Sequence, residues 1–380
     1  MKAVFKNSNF PFIDADSHLE EPEDVFKYLD DKYSNRKPLV VDIGDAVTWC
    51  PDRNKVWLID GEIRPKLFGP GGSCYGTPVT SNFAKKKPVS IEVQSLADPD
   101  AYCEGMDSIG LDVAVIYPTL FLHPLSEDAY YEAALMKAYN SYMAEACSKR
   151  EDRLRWAAVI PMAAPDEAVK EIERVHKLGA STVMMLGTVG NKMLHDQAHD
   201  PIFEKIQSLN MPISVHVGWS HTGIQETSDS IAAGLFLNFE MSPLFAFFSF
   251  VSGGIFDKYP DLRVAFIESG VNWFPVALER MSKWYKTQTA QPWPAKKSPA
   301  DYVRDHQIYF TVEGDEENLV EFINFVGADR ILGAADFPHV HYEGASLSTA
   351  FTDLKNCEGI SKEQLDKILG HNSQQFYNIY

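Results

Sequence analysis

The chain has 380 residues, 45% of them hydrophobic, and a formal net charge of −18. Such a length buries a sizeable core, as one large domain or two smaller ones. The acidic balance marks a soluble protein and excludes a generic binder of nucleic acid or of an anionic membrane; a small-molecule substrate is expected.

Short apolar, β-branched runs recur along the chain at FIDAD (12–16), DVAVIYPT (112–119), RWAAVIPM (155–162), STVMMLG (181–187), PISVHVG (212–218), RVAFIES (263–269), QIYFTVE (307–313) and RILGAAD (330–336). Near-continuous apolar runs of this kind are what parallel strands covered on both faces require. Helical patterns fill the gaps: PDEAVKEIERVHKLG opens with acids and closes on Gly179, and DPIFEKIQSLN and DEENLVEFINFVGA behave alike. Eight strands alternating with helices predict a distorted (β/α)8 barrel as a single domain over residues 1–380, with a doubly wound sheet as the structural alternative. The irregular stretch between the first two strands is read as an insertion, about 40–95, capping the barrel mouth, with a hairpin-like alternation around Val56–Ile63.

Three further features bound the setting. Five scattered cysteines (Cys50, Cys74, Cys103, Cys147, Cys357) without a CxxC point to a reducing compartment. The first residues lack an apolar signal core, so a cytoplasmic location is expected. LFAFFSFVSGGIF (244–256), broken by Ser249, Gly253 and Gly254, reads as too short for a bilayer and as a buried helix or subunit contact.

A barrel places its reactive groups at the carboxyl ends of several strands. Those ends carry Asp16-Ser-His18, His216, Glu268, Glu313 and Asp336, all metal-ligand types. On an alternating strand Asp14, Asp16 and His18 share one face, and two carboxylates with an imidazole there are costly unless water, a proton or a cation compensates them. Plainer roles exist for each. Asp14 and Asp16 suit capping, His216 a hydrogen-bonded core position, Glu268 an ion pair with Arg280, and Glu313 a structural place. His221, His339 and His341 are loop candidates, each weak alone.

DADSHLEEP, LADPDAYCEGMDSIGLDVAVIYPT, HDPIFEKIQSLNMPISVHVG, LRVAFIESGVNWFPVALERM and DRILGAADFPHVHYEG, in that order, resemble the amidohydrolase superfamily. The likeness is to the branch that includes aminocarboxymuconate-semialdehyde decarboxylase. It implies a divalent metal at the barrel mouth, zinc first, with manganese or iron as the other choices. By position, Asp16-Ser-His18 takes the place of the family's H-x-H pair, His216 matches the strand-five ligand and Asp336 the strand-eight aspartate, while Asp14 looks like support. Decarboxylases of this branch carry a histidine on strand six where this chain has Glu268. No lysine ends strand four before Lys192, so a carboxylated-lysine binuclear site is not expected.

These residues lead first to a metal-dependent hydrolase acting on an amide, ester or thioester, with metal ligands Asp16, His18, His216, Asp336 and Glu268. Asp336 would be the base, Glu268 and His216 would assist, and Trp219, His221, Trp273 and Phe337 would form the substrate-pocket walls. The alternative is a non-oxidative carboxy-lyase of an aromatic or muconate-type acid, and a third reading is an idle ligand-binding barrel. A homo-oligomer, a dimer, is expected.

Overall fold

The computed structural model describes residues 9–44, 52–287, 292–341 and 346–379, with the backbone alone for His341 and Ser346, so Cys50 and the His341 side chain lie outside it. Eight strands form one sheet in sequence order: β1 Ile13–Leu19, β2 Val113–Pro118, β3 Leu154–Val159, β4 Thr182–Met185, β5 Ile213–His216, β6 Arg263–Ile267, β7 Gln307–Val312 and β8 Ile331–Gly333. Each pairs in parallel with the next, and the intervening helices cover the outside. This is a (β/α)8 barrel, and the doubly wound alternative is set aside. Every strand falls within or beside its sequence run, because burial on both faces is what wrote those runs.

Closure between β8 and β1 departs from a plain ladder. The β1–β2 register shifts between Asp14 and Ser17. Asp14, fully buried, accepts the Asp16 N–H (3.1 Å), the Ser17 hydroxyl (2.5 Å) and the Ala335 N–H just beyond β8 (2.8 Å). The His18 N–H then donates to Phe337 O at 2.6 Å. A side chain thus supplies one rung of the seam. Strict alternation would put Asp14 beside Asp16 and His18; the shift lets its carboxyl be consumed by the seam instead.

The helices follow their patterns. Pro165–Lys177 starts with Pro, Asp and Glu, and buries Ala168, Ile172 and Val175 at helical spacing. In Asp200–Ser208 the buried residues are Ile202, Phe203 and Ile206, and in Leu319–Val326 they are Leu319, Phe322 and Ile323. The inserted stretch holds an antiparallel sheet of Leu39–Asp42, Lys55–Ile59 and Glu62–Arg64, turned by Asp60 and Gly61 at φ 52 and 83°. Its Trp57 and Ile59 are buried in the same core as the barrel, with Trp57 edge-on to Phe26 at 5.5 Å.

The apolar stretch is longer than its sequence reading. Helix Ile231–Val251 and its continuation Ile255–Lys258 are long and apolar enough to cross a membrane by length and composition. In the fold this stretch buries Ala246, Phe247, Phe250 and Val251, with Phe247 against Phe266 (6.0 Å) and Phe250 against Phe203 (6.0 Å). Serines and a proline interrupt the hydropathy without interrupting the helix.

Candidate metal centre

The ends of β1, β5, β6 and β8 meet. Ligating atoms of Asp16, His18, His216 and Glu268 lie within 4.8 Å of one another, and those of His18, Asp336 and His339 form an overlapping group. His216 Nε2 is 3.3 Å from Asp16 Oδ1, 3.3 Å from His18 Nε2 and 3.7 Å from Glu268 Oε2. His18 Nε2 is 3.3 Å from Asp16 Oδ1 and 3.4 Å from Asp336 Oδ1. Asp16, His18 and His216 are fully buried.

The tautomers decide what this cluster can do. His18 Nδ1 sits 3.0 Å from Pro118 O and His216 Nδ1 sits 2.9 Å from Val217 O. A carbonyl accepts only, so both Nδ1 atoms carry a proton, and in the neutral rings that bind a cation both Nε2 atoms present lone pairs. Two lone pairs and a carboxylate oxygen then face one another with no proton between them. Asp16 Oδ2 and Glu268 Oε2 are likewise buried with no hydrogen-bond partner among the described residues. An acceptor-only cluster of this density fits a cation. Separations of 3.3–3.7 Å are those of neighbouring ligands held at roughly 2.0–2.2 Å from one metal ion. The carbonyl partners of the two Nδ1 atoms are the outer support that orients imidazole ligands.

Electrostatics agree. Burial lowers the His18 pKa and His339 adds to this, so the ring stays neutral against the pull of Asp16 and Asp336. Burial alone would raise Asp16, and positive charge at His216 and His18 is what holds its carboxyl below the usual range, a part that a bound cation takes when both imidazoles are neutral. Glu268 is pushed well up by burial, then by the Asp336, Asp16 and Glu313 carboxylates. Glu313, outside both clusters, is raised by burial and by Asp336 and Asp16. Glu268 and Asp336 occupy left-handed backbone, φ 55 and 51°, a conformation that non-glycine residues hold at a cost of about 1–3 kcal/mol each and that gathers at functional sites.

His339 is the residue that strand-end reasoning undervalued. Its Nδ1 lies 2.8 Å from Asp336 Oδ1, its Nε2 is 3.1 Å from the Thr119 hydroxyl, and its ring stacks on His18 at 4.3 Å. Tyr75, from the inserted stretch, stacks on its other side at 5.6 Å. The only sequence signal was a histidine three residues after Asp336.

The four aromatic wall positions fare differently. Trp219 is buried beside Tyr75 at 5.5 Å. His221 instead caps helix Thr222–Thr227, its Nδ1 accepting the Ile224 N–H at 3.2 Å, and its ring stacks on Phe245. Trp273 packs among Phe247, Phe266 and Phe310 and donates its indole N–H to Gly270 O. Phe337 is fully buried edge-on to Tyr102 at 5.1 Å. His221 and Phe337 are taken up in capping and packing, while Trp273, within its aromatic packing, also lines a cavity of about 620 Å3 with Glu240 and Arg280. Glu268 meets His216 and not Arg280.

The fold and the acceptor cluster define a barrel with a candidate cation centre at its carboxyl end. Residues 98–379 match the amidohydrolase family (Amidohydro_2), and the chain belongs to that family. It is similar to gamma-resorcylate decarboxylase of Polaromonas sp. (strain JS666 / ATCC BAA-500), 27% identical over 259 residues, covering 63% of this chain and 75% of the relative. It is 24% identical over 289 residues to 2-amino-3-carboxymuconate-6-semialdehyde decarboxylase of Dictyostelium discoideum, covering 74% of this chain and 77% of that one. Among solved structures, 5-carboxyvanillate decarboxylase of Novosphingobium aromaticivorans, complexed with manganese and 4-hydroxy-3-methoxy-5-nitrobenzoic acid, superposes with a TM-score of 0.68 at 19% identity over 100% of both chains. The chain is an enzyme of the amidohydrolase superfamily.

Proposed function

We propose that the enzyme is a metal-dependent non-oxidative decarboxylase acting on a small aromatic or muconate-type acid. The acceptor-only meeting of Asp16, His18 and His216 carries the metal, and the likeness to two decarboxylases supports the carboxy-lyase reading over hydrolysis. Asp16, His18, His216 and Glu268 would hold the ion, with Asp336 beside them. Three carboxylates, two imidazoles and no thiolate suit manganese as well as zinc, and the manganese in the solved relative favours the former. A divalent ion held there would supply the positive charge that stabilises the substrate carboxylate and the charge developing as it departs.

The missing strand-six histidine counted against decarboxylation, since a metal-bound carboxylate is a poor proton donor. His339 answers that objection with an imidazole in contact with Asp336. Thr119 Oγ1 lies 3.1 Å from His339 Nε2, and with the imidazole proton on Nε2, donated to that hydroxyl, Nδ1 presents a lone pair to Asp336. His339 Nδ1 then accepts the O–H of a neutral Asp336 carboxyl, so the pair would hold a proton at Asp336 Oδ1, which water replaces after each turnover. As the bond from ring carbon to carboxylate breaks, carbon dioxide leaves, the electron pair stays on the ring carbon, and Asp336 protonates it.

The test is a substrate panel on manganese-loaded protein, hydroxybenzoic and muconate-type acids against amides, esters and thioesters. Carbon dioxide release from the acids is expected. Acid or alcohol release from the second group without carbon dioxide from the first overturns the proposal.

A further inference from the structure

The long apolar helix leaves one face open. Helix Ile231–Val251 buries Ala246, Phe247 and Phe250, and helix Trp273–Thr287 buries Trp273, Phe274 and Ala277. Their outer residues line the cavity of about 620 Å3, with Leu244 and Phe248 from the first helix and Val276 and Met281 from the second. Among the described residues the three most exposed large apolar side chains are Phe236, Trp284 and Val276, at 66, 63 and 60%. All three stand on these two helices. Exposed apolar surface gathered in this way marks a binding face.

The spacing of the two faces says what covers them. On the first helix Phe236, Glu240, Leu244 and Phe248 recur every four residues, and on the second Val276, Arg280 and Trp284 do so. Residues four apart form one ridge along a helix, and such ridges are what helices pack against one another. Each ridge is therefore apolar on both sides of a single charge, and the two charges are opposite. Glu240 is the only charged residue in Ile231–Val251. Glu240 and Arg280 line the same groove, yet neither forms an ion pair among the described residues. Burial raises the Glu240 carboxyl, and no cation offsets it. A twofold copy answers both charges. An isologous contact lays the first ridge of each chain on the second ridge of the other, so the acid and the guanidinium meet twice. An anionic bilayer would instead meet the Glu240 carboxylate and a chain of net charge −18, which disfavours it.

We infer that the outer faces of helices Ile231–Val251 and Trp273–Thr287 form a twofold interface with a second copy of this chain, ridge against ridge, with Glu240 opposite the partner's Arg280. The inference does not depend on the reaction proposed above.

Sedimentation of the full, manganese-loaded chain tests it. A dimer is expected at about 10 μM. Arg280→Glu alone and Glu240→Arg alone each set like charges opposite one another twice, so each should weaken association at least about 100-fold. Mixed together, these two variants should form a heterodimer, because one then offers two cations and the other two carboxylates. The double variant should dimerise as well. Trp284→Ala, which removes only an exposed ring, should weaken the dimer about tenfold and keeps the test sound if a charge variant fails to fold. A monomeric parent overturns the inference, and one that floats with phosphatidylcholine vesicles would give the face to a membrane instead. Unchanged association in Trp284→Ala and in both charge variants also overturns it, and so does the absence of a heterodimer from the mixed variants.

Discussion

The β1, β5, β6 and β8 side of the barrel mouth gathers Asp16, Glu268 and Asp336 around the His18 and His216 imidazoles, whereas the β3–β4 side surrounds its cavity with methionines. Both are the carboxyl ends of parallel strands in one sheet. The backbone therefore offers the same platform twice, and the last side chains of each strand decide its chemistry. On the first side Asp16, His18 and His216 turn acceptor atoms toward one another, a set that a cation completes. The apolar wall of the other side tolerates a dry cavity.

The contrast breaks most readily at His216. His216→Ala should remove metal binding, measured by elemental analysis of folded protein, and lower turnover by at least about 10³-fold, about 4 kcal/mol of barrier. Full metal content in that variant would move the centre elsewhere. Asp14→Ala should act on stability, because it strands the Ala335 and Asp16 N–H groups and the Ser17 hydroxyl; about 3 kcal/mol is expected from urea unfolding. A variant that unfolds like the parent but loses metal would make Asp14 a ligand instead of a seam.

Metal itself should stabilise the fold. Manganese at 100 times its Kd should add about 2.7 kcal/mol, read as a higher Tm, and the gain should vanish in His216→Ala. The smallest effect belongs to the cavity side. Burial, against the Leu125 N–H and Arg64, raises the Glu132 carboxyl from 4.5 to about 7. Between those values the folded state binds more protons than the unfolded one, so stability falls as pH rises through this window and levels off above it. Glu132→Gln keeps an acceptor for Leu125 and should flatten that fall by about 1–2 kcal/mol, measured as unfolding free energy at pH 5 and pH 8.

Strand existence was legible because covered parallel strands need unbroken apolar runs, and the run boundaries at Val113–Pro118 and Gln307–Val312 lie within a residue of the sequence segments. The set Asp16, His18, His216, Glu268 and Asp336 was legible because strand ends are fixed once the strands are. The destination of residues beyond a strand end was not legible: His221 turned into a helix cap and Phe337 into the seam against Tyr102, while His339 turned inward onto Asp336.

Sequence by itself determined the period of the elements, the acidic surface and the types of group at the barrel mouth, since these depend on local spacing and composition. Tertiary structure alone decided which acid closes the barrel and which faces the cation. Asp14 and Asp16 are two residues apart on one strand, yet a register shift gives the first three donors and leaves the second one oxygen with none among the described residues. A carboxyl is stabilised by whatever donors or cations surround it, and those arrive here from β8 and β5, hundreds of residues away in the chain.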